Sequence, residues 1–100
     1  MTNREAERHT ALRLSAQRAL LGAIHPEVRL IKVNWVGDRI EFQAICAEVS
    51  DEIAGDLSVA ATEILADFPQ ARIRESILAS DAPLPKENVI ERGWVYLRAE

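Results

Sequence analysis

The sequence predicts one α+β domain over residues 1–100, a two-layer sandwich in the order α-β-β-α-β-β. Two helices are expected to pack on one face of a four-stranded, mostly antiparallel sheet. Two observations predict this class. Apolar residues recur at helical spacing in two separate segments, and a pair of alternating segments flanks Gly37-Asp38. No internal repeat or linker interrupts the chain.

The first helix is expected to begin near Thr2 and to continue to Gly22 or Ile24, because Pro26 prevents its continuation. Its core stripe consists of Leu12, Ala16, Ala19, Leu20 and Ala23. Leu14 and Leu21 fall outside this stripe. They are packed under a loop or they form a contact surface, and the loop-covered arrangement is preferred.

A β-hairpin is predicted over residues 27–36 and 39 to about 48, with Gly37-Asp38 as a type II′ turn. Closing the hairpin there determines which residues face each other. Val36 is expected to face Arg39 beside the turn, and the apolar face pairs Trp35 with Ile40, Val33 with Phe42, and Ile31 with Ala44. The other face pairs Asn34 with Glu41, Lys32 with Gln43, and Leu30 with Ile45.

The second helix is predicted over residues 51–68, with Ser50 as its N-cap and Pro69 ending it. Its apolar face comprises Ile53, Leu57, Ala60, Ala61, Ile64, Leu65 and Phe68. Four carboxylates, Glu52, Asp56, Glu63 and Asp67, fall in a strip roughly 60° wide beside that face. This set is called the acidic strip below.

Two shorter strands are expected at residues 71–79 and 93–98, on either side of a proline-rich loop at 80–88. Glu75 shares a face with Ile73 and Ile77, which indicates an edge strand, a bulge or a salt bridge; an edge or bulge is favoured over a functional acid. The order of the four strands stays open, because neither connection determines which strands pair.

The charge distribution favours a basic protein partner over nucleic acid. The net charge is −4, and no Lys or Arg occurs between Arg39 and Arg72, so no basic residue on the second helix offsets the acidic strip. A solvated polar face is the alternative explanation of the strip. A small anion or RNA patch of Arg72, Arg74 and Arg98 beside Trp94 or Tyr96 is a weaker hypothesis.

Catalytic and metal-binding signatures are sparse, so neither an enzyme nor a cofactor is expected. The two histidines, His9 and His25, and the one cysteine, Cys46, have no sequence-local partners. His25 is interpreted as a junction histidine bonded to backbone, and Cys46 as a small buried hydrophobe. A single cysteine, a polar N-terminus and the absence of a long apolar run favour a reducing cytoplasm.

Three segments, at residues 13–24, 62–69 and 94–100, resemble those of small bacterial proteins whose kin are similar to immunity proteins accompanying toxins. The resemblance implies a cytoplasmic, non-catalytic protein that neutralises one cognate toxin by covering its active surface. It carries over no site residue. The sequence therefore predicts a binding protein whose acidic strip docks a basic, nuclease-type toxin domain. The alternative is a small self-associating structural domain, dimerising through Leu14 and Leu21 or through Leu30 and Ile45.

Overall fold

The computed structural model describes residues 3–84 and 94–98, and its elements follow the predicted order. The helices are α1 (Asn3–Ala19) and α2 (Asp51–Ala66). The strands are β1 (Val28–Val36), β2 (Arg39–Cys46), β3 (Arg72–Ala79) and β4 (Trp94–Leu97). They form one four-stranded sheet in the order β3-β2-β1-β4. Strand β1 pairs antiparallel with both β2 and β4, whereas β2 and β3 are parallel.

The β1–β2 hairpin has the register that the turn chemistry predicts. Every expected pair from Val36–Arg39 back to Leu30–Ile45 is present. Gly37 has φ 62°, a backbone conformation that glycine adopts without a steric penalty. An irregularity between Val28 and Leu30 then interrupts the alternation, and β2 ends at Cys46 rather than near Glu48. The turn residues and the alternation around them were sufficient to predict the register of the hairpin from Leu30 to Ile45.

Helix α1 ends earlier than the proline predicts. It stops at Ala19, and a hydrogen-bonded turn then carries the chain to Ala23. Gly22 lies in that turn with φ 78°, so a left-handed glycine, rather than Pro26, ends the helical segment. The predicted start at Thr2 lies outside the described residues.

The core lies between the sheet and both helices, which share one face as expected. Leu12 and Ala16 of α1 meet Leu57 and Ile64 of α2 over a floor that includes Phe42. The predicted stripe of α1 lies in the core, with Ala23 packed against its edge. The predicted face of α2 also lies in the core, with Phe68 packed against its edge; the exception is Leu65, which is half-buried and outside the core cluster. Ser50 accepts a hydrogen bond from the Ile53 amide over 3.1 Å and thereby caps α2 as predicted.

Strand β3 is an edge strand, since it lies at one end of the sheet beside β2. It is parallel to β2 because α2 carries the chain back across the sheet between the two strands. Glu75 lies opposite Phe42 in an uninterrupted register and is exposed. The edge explanation of this carboxylate is therefore confirmed, and no bulge is present in the β2–β3 pairing.

The face of the sheet opposite α1 and α2 carries a row of four aliphatic side chains. Leu78, Ile45, Leu30 and Leu97 face one another in turn across β3, β2, β1 and β4. Leu30 is buried, whereas Leu78 and Leu97 are exposed. The neighbouring positions Lys32, Gln43 and Ser76 are polar. The row is called the apolar row below.

Candidate functional site

The acidic strip lies on the flank of α2 that faces α1 and the loop after it. Asp56 and Asp67, the inner members of the strip, contact groups from that side of the molecule. Glu52 and Glu63, the outer members, are exposed to solvent. No basic residue of α2 itself contributes to the strip, as the sequence indicates. The groups that contact Asp56 and Asp67 come from residues distant in the chain.

Asp67, the C-cap residue of α2, is occupied within the molecule. Its Oδ2 accepts a hydrogen bond of 2.6 Å from Ser15 Oγ, and Arg18 donates to the same oxygen over 3.3 Å. Ser15 is buried between the helices, whereas the Arg18 side chain is 72% exposed. The strip therefore has one carboxylate that holds α1 to α2 and carries a compensated charge.

Asp56 is held by His25, in a contact that the sequence does not predict. Its Oδ2 lies 2.7 Å from His25 Nε2, and both side chains are partly buried. The interpretation of His25 as a histidine bonded to backbone was wrong for its side chain. The junction places the imidazole against α2, and the Asp56 carboxylate supplies the partner.

Glu52 and Glu63 are exposed, and neither has a hydrogen bond or ion pair within the part of the chain that the structure describes. Val59 lies between them, two helical turns after Glu52 and one turn before Glu63, and it is 57% exposed. An aliphatic side chain flanked by two uncompensated carboxylates can add apolar contact to an electrostatic one. Val59 was not among the binding residues predicted from the sequence.

The outer side of α1 adds a second apolar element. Leu14 is 55% exposed and Leu21 is 81% exposed. The two residues line a shallow surface groove together with Gln17 and Arg18. The loop-covered arrangement is therefore wrong, and the two leucines form a surface. Arg18 links this groove to the acidic strip because it also contacts Asp67.

An aromatic pocket lies near the C-terminal end of α2. The Arg8 guanidinium stacks 3.8 Å from the centre of the Trp35 ring, and Trp35 meets Phe68 edge to face with ring centres 5.3 Å apart. Arg8 also donates to the Gly37 carbonyl, and Trp35 Nε1 donates to the Arg8 carbonyl. Pro69, Gln70 and Ala71 complete the wall beside Asp67 and Asp38. Trp35 and Phe68 were predicted only as apolar-face residues, and the pocket itself was not predicted because Arg8 belongs to no pattern that indicates it.

The hypothesis of a basic patch is wrong. Arg72 and Arg74 lie on β3, whereas Arg98 follows β4 at the opposite edge of the sheet. Arg98 donates a hydrogen bond of 2.8 Å to the Pro26 carbonyl. Tyr96 is half-buried and packs against the core.

Cys46 is fully buried, as the sequence predicts. Burial and, to a lesser extent, the negative charge of Glu27 raise the pKa of its thiol. A buried, protonated thiol is a poor nucleophile. The cysteine therefore contributes to packing and not to a reactive site.

A comparison with known families matches residues 9–100 of the chain to the MafI2 immunity protein family. The chain belongs to that family, and membership indicates an immunity role against a toxin. No curated protein matches the chain. Neither helix of the described residues is long and apolar enough to cross a membrane.

Proposed function

We propose that this chain is a non-catalytic, cytoplasmic immunity protein that neutralises one cognate bacterial toxin by binding it. The docking surface is the acidic strip, Glu52, Asp56, Glu63 and Asp67, and the toxin domain is basic and of the nuclease type. Family membership supports the immunity role. The observation that carries the choice of surface is the pair Glu52 and Glu63, whose charges nothing in the described residues compensates.

The charges of the strip contribute unequally to this proposal. Glu52 and Glu63 present free carboxylates to a partner, and Asp56 adds a third that is already hydrogen-bonded to His25. Arg18 offsets Asp67. Complementary potentials accelerate encounter and reject wrong partners more than they add affinity. The outer pair is therefore expected to control the association rate.

Affinity needs apolar anchors as well as charge, and the same side of the molecule offers them. Val59 lies between Glu52 and Glu63, while Leu14 on α1 and Leu21 in the turn after it are exposed beside Arg18. Central apolar contacts surrounded by polar groups are the usual arrangement of a tight interface. We therefore expect the acidic strip of α2 to steer the toxin electrostatically, and Val59, Leu14 and Leu21 to supply the apolar contact.

The experiment compares Glu52→Lys/Glu63→Lys with a matched control, Glu75→Lys/Asp81→Lys, which changes the net charge equally at exposed positions on and after β3. Association with the toxin encoded beside this chain's gene is measured by stopped flow at several salt concentrations. The strip variant should associate at least about tenfold more slowly at low salt, and its rate should depend less on salt. The control should retain a rate near that of the wild type. Equal slowing in both variants would exclude the strip as the docking surface.

The stoichiometry of inhibition tests the non-catalytic mechanism. A protein that acts by covering a toxin should abolish toxin activity at a molar ratio near one, since each bound copy protects against one toxin molecule. Titration of toxin activity against the chain measures this ratio. Inactivation of a large molar excess of toxin would instead show turnover and would contradict the mechanism.

The apolar row favours a second candidate role, a self-associating domain. Leu78 and Leu97 are exposed at the two ends of the row, on the face of the sheet opposite α1 and α2. A second copy of an acidic chain is repelled by the acidic strip but not by this row, so self-association would use the sheet. Sedimentation should then show a dimer that Leu78→Glu disrupts and Leu14→Glu does not. A monomer at high concentration would rule out this role.

A further inference from the structure

We propose that His25, Glu52 and Asp56 form a binding site for a first-row divalent cation, with Zn²⁺ the best fit. The three ligand atoms come from two parts of the chain and lie within 4.8 Å of one another. Glu52 and Asp56 are one helical turn apart on α2. Two carboxylates at this spacing form a weak site by themselves, and the loop before β1 supplies the third ligand.

The chemistry of the donor set selects the ion. One imidazole nitrogen and two carboxylate oxygens match the mixed nitrogen and oxygen coordination of zinc sites. Mg²⁺ and Ca²⁺ favour oxygen ligands alone and gain little from an imidazole. Three protein ligands leave a fourth position, and the partial exposure of the cluster lets water occupy it.

The geometry requires only a small adjustment. In a tetrahedral site with bonds near 2.0 Å, neighbouring ligand atoms lie about 3.3 Å apart. The contact of 2.7 Å between His25 Nε2 and Asp56 Oδ2 must therefore widen slightly as the cation replaces the shared hydrogen. Glu52 is exposed, so its side chain is free to move inward and complete the set.

The same helix contains an internal comparison. Glu63 and Asp67 have the spacing of Glu52 and Asp56, but within the described residues no histidine joins them, and Arg18 contacts Asp67. The positive guanidinium of Arg18 disfavours a cation beside Asp67, and Ser15 already donates a hydrogen bond to the Asp67 oxygen that would bind it. The second pair therefore provides a matched control for the first, on the same element and with the same charge.

The proposed cation site is independent of the toxin, because isolated chain suffices to test it. An ion held by Glu52 and Asp56 offsets the charge of half the acidic strip, so occupancy would lower the electrostatic attraction for a basic partner. Failure of zinc binding would leave the proposed toxin-binding function untouched. Failure of toxin binding would likewise leave the zinc site intact.

Isothermal titration calorimetry of the chelator-treated full chain with ZnCl₂ tests the proposal. One ion should bind per chain, and His25→Gln should weaken binding by more than about tenfold, since even second-shell partners of metal ligands contribute 10–100-fold. Glu52→Gln should weaken it similarly. Glu63→Gln and Cys46→Ala should retain wild-type affinity, and MgCl₂ should bind far more weakly.

Nuclear magnetic resonance of the wild-type chain provides a readout that needs no variant to fold. Zn²⁺ should shift the Nε2 resonance of His25 and leave that of His9 unchanged. The proposal is overturned if millimolar Zn²⁺ leaves the His25 resonance in place. Equal affinities of the His25→Gln and Glu63→Gln variants would overturn it as well, because binding would then reflect diffuse negative charge.

Discussion

The hydrogen bond from Ser15 to Asp67 joins the two helices, and its removal should destabilise the fold by about 1 kcal/mol. Ser15 is only 2% exposed, and its hydroxyl donates to Asp67 Oδ2 over 2.6 Å. Hydrogen bonds to charged groups contribute about 1.5–3 kcal/mol. The lower end applies here, since the Asp67 side chain is 47% exposed and solvent screens it.

A compensating effect reduces the net loss of stability in each variant. Ser15→Ala replaces a modest helix former with the best one, which returns about 0.5 kcal/mol. Asp67→Ala leaves the buried hydroxyl without this acceptor, at a cost of about 1–3 kcal/mol, but it also removes a negative charge from the C-terminal end of α2 and regains about 0.3–1 kcal/mol. Each single variant should therefore lose about 1 kcal/mol.

Urea denaturation of the two single variants and the double variant measures the coupling. The double variant should be little worse than either single one, so the coupling energy should be about 1 kcal/mol. Each single variant should also melt about 4–8 °C lower. Arg18→Ala is the control for the same carboxylate. This exposed ion pair should couple to Asp67 by less than about 0.5 kcal/mol.

A different ranking of the two coupling energies to Asp67 would refute this explanation. If Arg18 coupled to Asp67 more strongly than Ser15 does, the exposed ion pair, and not the buried hydroxyl, would hold the helices together. A Ser15–Asp67 coupling below about 0.3 kcal/mol, within the usual additivity of independent sites, would show that the bond contributes nothing measurable.

Two glycines and the buried thiol provide further predictions. Gly55→Ala should stabilise the chain by about 0.5–1 kcal/mol, because the residue lies inside α2 with open space around it. Gly37→Ala should destabilise the chain by about 1 kcal/mol, because the backbone φ is 62° there. The melting temperatures of the two variants should shift in opposite directions, and shifts of the same sign would contradict this expectation. The raised pKa of Cys46 means that the thiol of the unfolded chain ionises first. The free energy of unfolding should therefore fall with pH above the ordinary thiol pKa of about 8.5, by up to about 1.4 kcal/mol per pH unit until the raised pKa is reached. Cys46→Ala should flatten that decline in urea titrations at alkaline pH, and an unchanged slope would show that the thiol is not its cause.

The candidate site was only partly predictable. The acidic strip follows from helical spacing, and the structure places its members on one flank of α2. The partners of Asp56 and Asp67 lie 31 and 52 residues away in the chain, so no local pattern reveals them. The exposure of Leu14 and Leu21 was equally ambiguous, because a stripe outside the core is compatible with both burial under a loop and a free surface.

The sequence by itself determined the elements and the hairpin. Turn chemistry at Gly37-Asp38 and the alternation around it act between neighbours, so they specify the register without help from the rest of the chain. Only the tertiary structure decided the strand order and the hydrogen-bond partners of the carboxylates in the acidic strip. Packing of α2 over the sheet places β3 parallel to β2 and brings Ser15 and His25 against its carboxylates. Such choices depend on which distant surfaces bury each other, and a residue pattern along one segment does not encode its partner.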